Sequence, residues 1–164
     1  MFKKILVTSF IYSILTISAL SAGSSGGDSA SEKKSNYDKA VKLIKTAKNY
    51  EKKGKLEKAN KNYEKAKKLL IKSNDKIPNK PDTLNYLGFT TRKLGDFEGG
   101  EKYYLEGLAI EPKHIGINEY LGELYVVTKR HNLAVERLQV LKGCNCKEYI
   151  QLEKIIAGDE VSKY

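Results

Sequence analysis

Cys144 and Cys146 stand one residue apart and are the only thiols in the chain. Such a pair serves as a structural disulfide, as a redox-labile dithiol, or as half of a soft-metal site of the copper type, and the residues themselves leave these readings open. His114 and His131 are not at ligand spacing from the thiols, so a metal would need donors from elsewhere, and no metal or cofactor is expected. Glu119 and Glu123 are four apart and share one helical face. A carboxylate pair of that kind can move protons, but nothing beside it supplies a nucleophile, a metal triad or an oxyanion hole. No His-Glu-x-x-His and no phosphate-cradling glycine loop occurs. These residues predict a protein that is not an enzyme, and the question becomes what scaffold carries them and what it binds.

The N-terminus reads as an address. Met1-Phe2-Lys3-Lys4 is positively charged, Ile5 to Leu20 carries no charge over 16 residues, and Ser18-Ala19-Leu20-Ser21-Ala22 offers small residues for cleavage. This is the grammar of a secretory signal peptide over residues 1–22, with a retained anchor as the alternative. The apolar run is shorter than the ~20 residues a spanning helix needs, which favours cleavage and a periplasmic or secreted product. Residues 23–35, rich in Gly and Ser, read as a disordered lead-in.

The formal charge of +10 is unevenly placed. Residues 32–80 carry 17 lysines, no arginine and 6 acids, whereas residues 81–164 carry 11 basic and 13 acidic residues. A lysine-rich first third is either a solvated helical surface or a face for an anionic membrane surface or an acidic protein. Nucleic acid is not an expected partner, because the lysines come without arginine or an aromatic stacking stripe and behind an export signal.

Two stretches superpose at a spacing of 34 residues. Asn85-Tyr86-Leu87-Gly88 is echoed by Glu119-Tyr120-Leu121-Gly122. The first stretch continues through Gly100, Tyr104, Leu108 and Pro112, and the second through Tyr125, Ala134, Leu138 and Leu141. Gly95-Asp96 and His131-Asn132 read as tight turns, with Asp96 and Asn132 as N-caps. A worn copy upstream runs Leu43, Ala47, Tyr50, Gly54, Ala59, Tyr63 and Ala66, and its start at Ala40 is 41 residues before Pro81. The seven extra residues are about two helical turns, so a longer second helix keeps its register. Gly143 stops a helix, and 147–157 reads as one more amphipathic helix that covers the end of the stack.

The pattern resembles the tetratricopeptide repeat (TPR) over residues 36–158, and in particular a small exported bacterial TPR protein. The departures are Thr91 for an aromatic, Gly100 and Gly107 for alanines, and no closing proline in the third copy. The resemblance implies an all-α, right-handed solenoid of about three helix-turn-helix repeats (about 40–80, 81–114 and 115–146), a capping helix at 147–157 and a tail at 159–164. In that packing Tyr104 and Leu138 fill the space beside Gly100 and Ala134. The resemblance also implies a protein-interaction scaffold of the cell envelope, which holds a peptide or protein partner on the concave face of each repeat's first helix. On that face lie Lys48, Lys52, Asn85, Phe89, Arg92, Lys93, Glu119 and Glu123. Phe89 is either an exposed apolar anchor for the partner or a residue packed on a neighbouring helix. TPR domains that clamp a chaperone's terminal carboxylate use Lys, Asn and Arg at positions that are here Ile44, Lys48, Tyr86, Gly116 and Tyr120, so that clamp is absent.

Overall fold

The computed structural model describes residues 35–160. The expected signal peptide and nearly all of the expected lead-in lie outside the described residues. Among those described there are seven helices and no strand: α1 (Asn36–Lys52), α2 (Leu56–Lys76), α3 (Pro81–Lys93), α4 (Phe97–Ile110), α5 (Ile115–Val127), α6 (His131–Leu141) and α7 (Lys147–Ala157). They pack in sequence as the pairs α1/α2, α3/α4 and α5/α6, and α7 closes the stack against α5 and α6. None of them is long and apolar enough to cross a membrane.

Local chemistry sets the helix starts. Ser35 accepts from the Asp38 amide at 3.1 Å while the Asp38 carboxylate accepts from the Ser35 amide at 3.1 Å, a reciprocal cap that starts α1 one turn before Ala40. Pro81 opens α3, where its missing N–H costs nothing. Asp96 caps α4 by accepting from the Gly99 amide at 2.8 Å. Asn132 does not cap α6, contrary to the sequence reading; Arg130 holds that position without a side-chain cap. The 34-residue period explains the shift, because it carries Gly95 onto Lys129 and Asp96 onto Arg130. Lys129 takes up the left-handed conformation (φ 61°) that Gly95 adopts freely (φ 92°). A bidentate pair between Arg130 and Glu101, at 2.9 and 2.7 Å, ties that turn to the preceding repeat.

The seven extra residues of the first repeat appear as helix length: α2 has 21 residues and α4 has 14. Ala59, Tyr63, Ala66 and Leu70 recur at helical spacing along α2 and are all buried, facing Ala40, Ile44 and Ala47 of α1. Small residues let the backbones close up. A Cβ on Gly100 would lie 3.1 Å from the Gly88 carbonyl oxygen, so the two glycines mark a close approach of α3 and α4. Tyr104 packs on Gly88 itself, where an added Cβ would come within 2.5 Å of the ring. In the third repeat the matching contact comes from another helix. The side chain on Gly122 is Leu152 of α7, whereas Leu138 packs with Leu141 and Leu152 in the C-terminal cluster.

These two glycines predict unequal responses to alanine. Gly88→Ala meets a rigid, buried tyrosine ring, and a strain of about 1–3 kcal/mol outweighs the ~1 kcal/mol that alanine adds in helix propensity. Gly122→Ala meets chiefly the methyl ends of Leu152, which can rotate, so its net effect is close to zero. Denaturant midpoints of the two variants check this, and equal losses would contradict the packing described.

Candidate functional site

The first helix of each pair and α7 together enclose a cavity of about 590 Å³. From α1 come Lys48, Glu51 and Lys52; from α3, Phe89 and Lys93; from α5, Glu119, Tyr120 and Glu123; from α7, Lys147, Glu148 and Gln151. Leu56, 61% exposed at the start of α2, adds an apolar patch. The aromatic part is a stack in which Phe89 lies between Tyr63 (ring centroids 5.7 Å) and Tyr120 (5.0 Å). Phe89 is only 2% exposed, so of its two readings the packed one is found, and it forms a wall of the cavity rather than a projecting anchor.

The charges are arranged with less symmetry than their count suggests. Lys48 is half-buried, with its ammonium 4.3 Å from the Phe89 centroid, and it donates to the Tyr120 hydroxyl at 3.0 Å. Desolvation lowers its pKa, opposed mainly by Glu119. Glu51 accepts from Lys93 at 2.5 Å and from the Tyr63 hydroxyl at 2.8 Å. Arg92 is shut away completely; it donates to the Tyr120 carbonyl at 2.6 Å and to Glu123 at 3.3 Å. The second oxygen of Glu123 accepts from Gln151 at 3.3 Å. Glu119, one helical turn before Glu123 and 6% exposed, has no hydrogen-bond or ion-pair partner among the described residues. Burial, reinforced by Glu123 and Glu148, pushes its carboxyl up from 4.5 to about 8, and Lys48 and Arg92 offset this only in part.

No family model and no curated protein matches the sequence. Solved structures do match. The first TPR domain of human RPAP3 aligns with 76% of this chain and 94% of its own length, at 20% identity and a TM-score of 0.55. The first TPR of Spaghetti (RPAP3), solved bound to the HSP90 peptide SRMEEVD, aligns with 78% of this chain and 98% of its own, at 19% identity and a TM-score of 0.53. The chain has the TPR fold. Its cavity is therefore on the concave side of a TPR stack, and α7 stands where the first helix of a further repeat would.

Six of the eight residues placed on the concave face by the repeat line this TPR cavity: Lys48, Lys52, Phe89, Lys93, Glu119 and Glu123. Asn85 and Arg92 do not. Asn85 sits where its amide nitrogen would be 2.8 Å from a Cβ on Gly116, and Arg92 lies beneath the cavity as a strut. The repeat pattern left out Tyr120, which it named as a position of the absent carboxylate clamp, and the α7 residues, since it assigned α7 to covering the stack. Lys147, Glu148 and Gln151 at helical spacing were the available signal. Cys144 and Cys146 form a disulfide in the α6–α7 connection, which leaves neither thiol free for a metal. His114 is a structural cap: its Nδ1 accepts from the Ile117 amide at 3.1 Å and its Nε2 faces Asp82 at 3.2 Å.

The folded chain holds the Glu119 proton more tightly than the unfolded chain, so folding takes up a proton between pH 4.5 and about 8. Stability therefore falls as pH rises through that window. Glu119→Gln removes this dependence. Denaturant titrations at pH 5.5 and 9 should show the loss shrinking by ~2–4 kcal/mol in the variant. An equal loss in both proteins would refute the unpartnered carboxyl.

Proposed function

We propose that the chain is a non-enzymatic scaffold of the cell envelope that binds a peptide or protein partner in its concave TPR groove. One observation carries the reading: a cavity of about 590 Å³ with an aromatic wall and charged margins, lined by α1, α3, α5, α7 and the start of α2. A structural neighbour that holds the peptide SRMEEVD supports the same use of the fold. Export rests on the charge, apolar and small-residue pattern of residues 1–22, and the Cys144–Cys146 disulfide fits an oxidising compartment. Peptides selected from an unbiased displayed library should shift the amide resonances of Lys52, Lys93 and Gln151 in the labelled chain. Peptides that shift only the outer helices α2, α4 and α6 would defeat the assignment.

A second reading has its own observation. Lys58, Lys61, Lys65, Lys68 and Lys72 are spaced three and four apart along α2, and all are exposed. Among the described residues, only Lys61 of these five has a close acidic partner, Glu57 at 2.9 Å. Such a stripe suits an adaptor that rests on an anionic membrane surface. It predicts sedimentation with vesicles containing phosphatidylserine that fades between 50 and 300 mM salt and is lost on replacing Lys65, Lys68 and Lys72 by Glu. Salt-insensitive or absent binding removes this reading.

A further inference from the structure

We infer that the groove selects its peptide through a basic side chain, a lysine ammonium or an arginine guanidinium, seated against Glu119. The inference rests on the groove reading and deepens it. The acids of the cavity differ in what they have left to offer. Glu51 is satisfied by Lys93 and Tyr63, and Glu123 by Arg92 and Gln151. Glu148 stands 3.9 Å from the exposed Lys147. Glu119 alone is more than nine-tenths buried, lines the cavity and has no partner among the described residues. A buried carboxylate without a counter-ion is costly, and a cation delivered from outside relieves that cost at the moment of binding.

The surroundings suit such a side chain along its whole length. Tyr120, half-buried, presents ring surface beside Glu119, against which the apolar stem of a lysine or the plane of an arginine can lie. The groups facing Glu119 are Lys48 on α1, Arg92 on α3, Glu123 on α5 and Glu148 on α7. The two cations are engaged: Lys48 with the Tyr120 hydroxyl and the Phe89 ring, Arg92 with Glu123 and the Tyr120 carbonyl. An anionic ligand at this depth would meet three carboxyl groups. Without a basic side chain beside it Glu119 keeps a proton instead, since that carboxyl is raised to about 8, so binding such a side chain expels a proton and strengthens as pH rises toward 8.

The test uses capped eight-residue peptides of alanine and tyrosine with one central Lys, Arg, norleucine or Glu, titrated into the labelled chain at pH 6.5 and 8.5. Lys and Arg peptides should bind at least about tenfold more tightly than the Glu peptide and shift the resonances of Glu119 and Tyr120. Their affinity should rise at least about tenfold between the two pH values. Glu119→Gln should abolish both the charge preference and the pH dependence while the norleucine peptide binds as before. Tighter binding of the Glu peptide, or no charge preference, overturns the inference and leaves the groove reading standing. So does indifference to all four probes when library-selected peptides still occupy the groove. If neither probes nor library peptides reach the groove, both readings fall. Should Glu119→Gln fail to fold, the charge preference of the unmodified chain decides alone.

Discussion

The guanidinium of Arg92, sealed from solvent, donates to the Tyr120 carbonyl and the Glu123 carboxylate and so ties α3 to α5 from inside the stack. Its position depends on Gly100, since a Cβ there would lie 3.1 Å from the Arg92 Cβ. It also lies beside the rings of Tyr104 and Tyr120. A charge buried this deeply persists only when it is paired and hydrogen-bonded, and the pairing has a consequence for the surface above it. One cation is shared between two carboxyls on the same helical face. Glu123 takes it, and Glu119 is left to the cavity.

The same economy runs through the rest of the groove. Each cavity cation with a close partner uses a group that also shapes a wall: Lys93 with Glu51, Lys48 with the Tyr120 hydroxyl. The aromatic rings of the wall meet in tilted and edge contacts, and among the described residues Glu119 is its one buried carboxyl without a partner. A groove of this kind offers a partner an apolar surface and one strong electrostatic demand. That differs from a groove whose basic residues await a terminal carboxylate.

The helix that closes the stack also builds the site. Leu152 of α7 packs onto Gly122, which holds α7 close against α5 and brings Glu148 and Gln151 to the cavity. The Cys144–Cys146 bridge lies in the short connection that leads into α7, so it constrains the approach of that helix. At the other end, the longer α2 extends its buried row to Leu70 and turns its lysines outward. The helices at the two ends of the stack thus carry a buried apolar row on one face and charged or polar side chains on another.

The sequence by itself determined the fold. Glycines and bulky residues at a 34-residue spacing can be satisfied only by closely packed helix pairs, and the two surplus turns of the first repeat could enter only as helix length. It also determined which helical face each candidate residue would occupy, because that follows from a periodicity of 3.6. What the tertiary structure decided was how deeply each residue sits and with whom it pairs. Phe89 and Arg92 share a face with Lys93, yet Phe89 became a wall, Arg92 a strut and Lys93 a partner of Glu51. Glu119 and Glu123 are four residues apart in a repeat that treats them alike, and only the arrival of Arg92 and Gln151 from other helices separates them. Ion pairing and desolvation depend on distances across the stack, between residues up to 72 positions apart such as Lys48 and Tyr120, and local spacing carries no record of those distances.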